Sequence, residues 1–282
     1  MGATLRERAE QFKEKRPAYA PLLDFFVAVR EAQALAMPKV LAAPVSAGNA
    51  WDTGAGVLTM PRIGQNGFAI DLKSSVELFA VLCRLGKRAN PHFATQVEKV
   101  ERALADGGLQ LNALLSAGVG DGFAQAADIG LDAGIVSFLV ANSIRPSIEA
   151  ARDQALAGFE PESWRRCFCP VCGAPPTLGV LKGERGLRHC VCSQCHCQWL
   201  VDRLGCPICD NKQQDLLQHF VADSDPACRI DLCDRCHHYI KTIDLRALDT
   251  PDPVLEDLAT LHLDVLAVER GYLRAVPNPW SD

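Results

Sequence analysis

Four C-x-x-C pairs follow one another between residues 169 and 236: Cys169/Cys172, Cys192/Cys195, Cys206/Cys209 and Cys233/Cys236. Two residues between cysteines let a tight turn aim both sulfurs at one ion, while the turn's amides hydrogen-bond to the thiolates. A glycine or small residue often follows, as in "CPVCG" at 169–173, because the chain must turn sharply there. Two such knuckles supply four thiolates in a tetrahedron, a set suited to zinc or to a single iron. One pair alone would equally suit a redox dithiol. Four in succession point to metal.

The gaps between knuckles are 19, 10 and 23 residues. A ribbon pair commonly encloses about 15–20 residues, enough for a hairpin. Joining the first knuckle to the second and the third to the fourth gives two loops of that kind. An interleaved pairing would use the same eight ligands and stays open at this point. Cys167, Cys190, Cys197 and Cys228 are then surplus, read as packing against the metal loops. With eight knuckle cysteines available, His196, His237 and His238 are not needed as ligands. Full thiolate coordination leaves no open position, whereas a catalytic metal normally keeps one.

No other catalytic constellation stands out. The chain has no G-x-G-x-x-G after a strand, no Walker-type phosphate loop, no H-E-x-x-H and no G-x-S-x-G. "GVGDG" at 118–122 reads as a helix break, and Asp223 and Asp225 read as solvated carboxylates in a polar turn.

Twelve of the thirteen cysteines lie between 167 and 236; Cys83, in "VELFAVLCRLG", reads as a buried thiol. Upstream the chain is helical in pattern, with Leu5, Ala9 and Phe12, then Leu22, Phe26 and Val29, then Val76, Phe79 and Leu82 at helical spacing. Asn90 and Pro91 mark a helix start and Gly107 a stop. The segment 132–158 reads as two helices, with Pro146 opening the second. Downstream, "TLGVLKG", "CQWLVDRLG", "LLQHFVAD" and "HHYIKTIDL" alternate as short strands of small antiparallel sheets. After Pro253, the residues Val254, Leu258, Leu261, Val265 and Val268 form one apolar stripe of a final helix, expected to pack on the helical domain or between the two parts. The expected class is α+β: a mainly helical domain (1–165), two small ribbon-like modules (166–203 and 204–250) and a C-terminal helix and tail (251–282).

The chain of 282 residues is 48% apolar and 22% charged, an ordinary globular balance. Its net charge of −5 and 6% aromatic content argue against a nucleic-acid binder, although Lys182, Arg185, Arg188, Arg203 and Lys241 lie near the knuckles. No apolar run reaches the roughly 20 residues of a membrane span, and the charged N-terminus lacks a secretory h-region. The cytoplasm, where thiols stay reduced, is the expected compartment.

Four stretches carry a more specific signal: "CPVCGAPPTLGVL", "CSQCHCQWLVDRLGCPICDN", "CDRCHHYIKTID" and "LEDLATLHLDVLAVERGY". In order and spacing they resemble the FdhE-type formate dehydrogenase accessory proteins of bacteria, over residues 165–274. The resemblance implies a cytoplasmic, non-catalytic factor that acts on the catalytic subunit of formate dehydrogenase before its export. It also implies a rubredoxin-like double metal module and a homodimer. The implied ligands are Cys169, Cys172, Cys192, Cys195, Cys206, Cys209, Cys233 and Cys236, holding two ions per chain, with iron favoured over zinc. A redox protein moving electrons or sulfur is the competing reading, and a zinc-ribbon nucleic-acid binder a third.

Overall fold

The computed structural model describes residues 4–37, 60–64, 67–118, 124–157, 159, 161–248 and 252–280. The chain divides into two compact units. One comprises residues 18–45 and 66–154; the other comprises 1–17, 46–65 and 155–281. Most of "GVGDG" lies outside the described residues.

The first unit is helical: α2 (Ala20–Ala36), α3 (Leu72–Ala89), α4 (Pro91–Ala105), α5 (Leu111–Ala117), α6 (Ala124–Asp128) and most of α7 (Ala133–Leu156). Asp71 and Asn90 cap α3 and α4, their side-chain oxygens accepting from the Ser74 and Phe93 amides. Leu23, Phe26, Val29, Leu82 and Leu139 are almost wholly buried, each contributing about 1.5–3 kcal/mol by removal from water. The rings of Phe25, Phe93 and Phe138 meet at centroid distances of 5.4–5.6 Å, joining α2, α4 and α7. Cys83 is buried in this unit, and burial pushes its thiol up to about 12.

Pro146 does not open a second helix; it sits inside α7. Proline offers no N–H to the carbonyl four residues earlier. That carbonyl belongs to Asn142, and the Gln33 side-chain amide donates to it at 3.0 Å. A partner on α2 thus replaces the missing helical bond, and the helix continues.

The second unit holds α1 (Leu5–Lys15), β1 (Pro176–Lys182), β2 (Leu187–Cys192), β3 (Gln198–Leu200), β4 (Leu217–Val221), β5 (Cys228–Cys233), β6 (His238–Asp244), α8 (Pro253–Leu258), α9 (Leu261–Glu269) and β7 (Leu273–Arg274). The strands were expected in separate small antiparallel sheets, one for each ribbon-like module; the structure pairs β1 with β2 and β4 with β5 as antiparallel hairpins. Among the described residues they form one seven-stranded sheet in the order β3-β2-β1-β6-β5-β4, with β7 beside β6. The join is a parallel pairing of β1 with β6, in which Gly179 lies opposite Thr242. A Cβ at Gly179 would collide with Thr242 Oγ1, so this crossing requires glycine.

Leu178, Val180, Val191, Ile230, Tyr239 and Ile243 pack with Leu263 and Ala267 of α9 in one apolar core. The period of two sends Arg188, Asp231 and Thr242 to the other face. There Arg188 reaches Asp231 at 2.8 Å and Thr242 Oγ1 donates to the same carboxylate at 2.5 Å.

The single terminal helix was expected to run through; it is broken instead at Ala259–Thr260. The Lys241 ammonium, fully buried, takes the Asp257 carbonyl at 2.8 Å and lies 3.4 Å from that of Thr260, capping α8. The break turns the stripe: Leu255, Leu258, Leu263 and Ala267 are buried, while Val265 and Val268 are more than half exposed. Asp225 is likewise no solvated turn residue, since Arg16 of the α1 C-cap and His262 both bind its carboxylate.

Candidate metal centres

Each knuckle has the same backbone signature. The residue after its second cysteine lies in the left-handed region: Gly173 at φ 77°, and His196, Asp210 and His237 at φ 56°. The turn closes by a bond from that residue's amide to the first cysteine's carbonyl, at 2.9 Å from Gly173 to Cys169 and 3.0 Å from Asp210 to Cys206. His237 repeats it on Cys233 at 2.9 Å. Three of the four positions hold a non-glycine residue, at a cost of roughly 1–2 kcal/mol each.

The hairpins then bring the knuckles together in pairs. Cys192 ends β2 and lies opposite Pro176 of β1; Cys233 ends β5 and lies opposite Leu217 of β4. Each hairpin therefore returns the chain to the knuckle that began it. The sulfurs of Cys169, Cys172, Cys192 and Cys195 all lie within 4.8 Å of one another, and so do those of Cys206, Cys209, Cys233 and Cys236. This is the sequential arrangement, not the interleaved one.

The spacings suit a metal ion. In the first cluster the Cys169–Cys195, Cys172–Cys192 and Cys172–Cys195 sulfurs are 3.5, 3.4 and 3.7 Å apart. In the second, Cys206–Cys236 and Cys209–Cys233 are both 3.8 Å apart. A tetrahedron of sulfurs about 2.3 Å from a central ion has edges of about 3.8 Å. A disulfide would require about 2.05 Å, and all thirteen cysteines are free thiols.

Amide dipoles point at the sulfurs. The Val171 amide donates to Cys169 at 3.3 Å, and the Gln194 and Cys195 amides donate to Cys192 at 3.4 Å. Burial pushes the Cys233 thiol up, yet the Cys236 and Arg235 amides and the Cys209 and Cys236 thiols outweigh it, and the group sits below its ordinary value. Cys169 also lies low: burial opposes ionisation, but hydrogen bonds with the thiols of Cys172, Cys192, Cys195 and Cys197 prevail. Cys172 and Cys195 are pushed up by sharing hydrogen bonds with Cys169, and Cys206 and Cys236 by burial, so each cluster of free thiols ionises unevenly. Thiolate is the form a metal binds, and binding releases the remaining protons.

Several supports were not legible in the cysteine pattern. Residues 61–64 form a strap over the first knuckle, with the Arg62 amide donating to the Pro170 carbonyl at 2.9 Å and that of Ile63 to Val171 at 2.8 Å. A Cβ at Gly173 would strike Pro61 Cγ at 2.9 Å. Asn211, fully buried, accepts the Cys206 amide on its carbonyl at 2.8 Å and turns its side-chain amide toward the Cys233 sulfur at 3.8 Å. The indole of Trp199, also fully buried, donates to the Arg166 carbonyl at 2.9 Å.

The surplus thiols stand apart from the two sets of four. Cys228 lies in the apolar core, 3.9 Å from Thr260 Oγ1, and burial pushes it up to about 12. Cys190 is buried with the same result. Cys167 precedes the first knuckle in sequence but approaches the Cys206 carbonyl of the second cluster, at 3.9 Å. Cys197, 2% exposed, is the surplus thiol next to the first cluster. Of the basic residues near the knuckles, Arg188 and Lys241 are buried in ion pairs and offer nothing to a phosphate backbone.

Residues 168–203 match the family model "FdhE, central domain" and residues 204–280 match "FdhE, C-terminal domain", so both clusters fall inside consecutive family domains. This chain is similar to the FdhE family over residues 168–280. It is 32% identical over 152 residues to an FdhE homolog of Aquifex aeolicus, covering 53% of each chain. An FdhE homolog of Stutzerimonas stutzeri is 40% identical over 115 residues, 39% of this chain and 37% of its own. These matches span about half or less of the curated relatives' length. The crystal structure of the FdhE protein from Pseudomonas aeruginosa shares the fold, with a TM-score of 0.68 over 97% of this chain and 92% of that one at 24% identity. Among the described residues, no helix is long and apolar enough to cross a membrane.

Proposed function

We propose that this FdhE-like chain is a non-catalytic accessory factor for a formate dehydrogenase, binding its catalytic subunit in the cytoplasm before export. The observation that carries this reading is the coincidence of the two consecutive FdhE domains with the two four-cysteine clusters. In this reading the eight knuckle cysteines hold two ions per chain, and the protein acts as a homodimer. Four thiolates on each ion leave no position for substrate or water, which supports a binding role over catalysis at the metal. A bound ion would supply folding free energy to its knuckles and, if it is iron, a one-electron couple.

Co-purification with the catalytic subunit tests the client. A strain lacking the gene should lose formate dehydrogenase activity, and the tagged protein should retain the subunit. Full activity in that strain together with no retention would sink the reading. Metal analysis after anaerobic purification tests the ligand set, with two ions per chain expected and iron favoured. Light scattering on the same sample should give twice the mass of one chain.

A further inference from the structure

The two clusters differ in how far they are open. All four cysteines of the first are buried, and the 61–64 strap lies across its first knuckle. In the second, Cys209 and Cys236 are half-buried, and a cleft of about 290 Å³ reaches Cys206 and Cys233. The cleft runs along the sheet face opposite α9, between the third knuckle and strands β4 to β6.

Its charge is lopsided. Arg188, Arg203, Arg229, His219 and His238 line it, against one carboxylate, Asp231. That carboxylate is already shared by Arg188, Arg229 and Thr242. Arg203 is exposed and makes no salt bridge among the described residues. An excess of guanidinium over carboxylate in a half-enclosed cleft raises the local concentration of small anions.

We infer that the second cluster is the exchangeable one, giving up and accepting its ion through this cleft by way of small anionic chelating ligands, while the first keeps its ion. The inference rests on the reading of both clusters as metal sites. In each exchange step a chelator donor bonds to the ion as one ion–sulfur bond breaks. The freed thiolate takes a proton from water, and no electron moves. The cations at Arg203 and Arg229 draw the anionic ligand in, Cys206 and Cys233 on the cleft wall are the sulfurs it reaches first, and the half-buried Cys209 and Cys236 leave the rest of the cluster less enclosed than the first one.

Zinc-reconstituted full-length protein, mixed with the anionic dye pyridylazoresorcinol, tests this. One equivalent of zinc should transfer quickly and the second only after denaturant is added. Cys209→Ser should remove the fast phase, and Cys172→Ser should retain it. Arg203→Glu, at an exposed position, should slow the fast phase by about threefold or more without changing its amplitude. It should leave transfer to neutral phenanthroline unaltered. Both ions leaving in one phase, a fast ion surviving in Cys209→Ser, or no response to Arg203→Glu would overturn the inference while leaving the metal reading intact. A protein that holds no zinc after reconstitution would overturn both.

Discussion

Arg188 donates through one guanidinium nitrogen to the Gly205 carbonyl at 2.9 Å and through the other to Asp231 at 2.8 Å. It stands on β2, four residues before Cys192 of the first cluster, and Gly205 immediately precedes Cys206 of the second. One side chain therefore pins the second cluster's leading knuckle to the strand that ends in the first. Arg188 is 3% exposed, so its loss removes a buried charged donor from Asp231 and leaves the Gly205 carbonyl without its guanidinium partner. Arg188→Met should cost about 3–5 kcal/mol in denaturant unfolding. In zinc-reconstituted protein it should also speed metal loss from the second cluster more than from the first. A variant of unchanged midpoint would show that Arg229 and Thr242 suffice for Asp231.

The bond from Gln33 to the Asn142 carbonyl yields a cleaner test, because its reason for existing can be removed. Gln33→Leu leaves that buried acceptor unpaired, at about 1–3 kcal/mol. In a Pro146→Ala background the alanine amide can take the carbonyl within the helix. The same Gln33→Leu change should then cost measurably less. Equal costs in both backgrounds, read from urea midpoints, would mean that Gln33 matters for another contact, such as its bond to Asn142 Oδ1 at 3.1 Å.

What could be read in the sequence was what is local in the chain. The C-x-x-C spacing grouped the cysteines because a knuckle is a turn of a few residues, and the Asn90–Pro91 start of α4 was visible for the same reason. Strands β2 and β5 were not marked out. Their Arg188, Arg229 and Asp231 look like surface charges until tertiary pairing sets them against one another over 43 residues of chain. The break between α8 and α9 was invisible because its cause, Lys241, lies on a strand 16 residues before Asp257. The strap at 61–64 hydrogen-bonds the knuckle through main-chain atoms, which leave no side-chain pattern to find. Reading Pro146 as a helix start was sound local chemistry overruled by Gln33, more than 100 residues away.

Lys241 and Asp257 anchor the terminal helices to the sheet, with Arg274 and Asn278 also on the Asp257 carboxylate and Tyr239 on Asp264. Burial disfavours the Asp257 charge, but Lys241 and Arg274 more than offset it, holding the carboxyl below its usual range. A lowered folded-state value means that this stabilisation is complete above the unfolded pKa of about 3.9 and fades as pH falls through the folded value. Lys241→Met should cost about 3–5 kcal/mol at neutral pH. The gap between variant and wild type should narrow below about pH 4, as Asp257 in the variant escapes its charge by protonation. The comparison cancels what acid does to the thiolate clusters, which both proteins carry. A gap independent of pH in urea unfolding would exclude Asp257 as the group responsible.

The two classes of cysteine should separate in metal content and stability. Cys172 has sulfurs of its own cluster at 3.4 and 3.7 Å, whereas Cys228 faces Thr260 in the apolar core. Cys172→Ser removes one of four thiolates around a shared point, so the variant should hold one ion fewer per chain and lose the folding free energy that ion supplied. Cys228→Ser should keep both ions and lose only the stability of a small buried apolar group exchanged for a hydroxyl beside Thr260, about 1–3 kcal/mol. Cys197→Ser, next to the first cluster but outside its four sulfurs, should also keep both. Elemental analysis beside a thermal melt reads each outcome directly. Loss of an ion in Cys197→Ser but not in Cys172→Ser would move the first centre onto a different set of four sulfurs, with Cys197 facing Cys169 in place of Cys172.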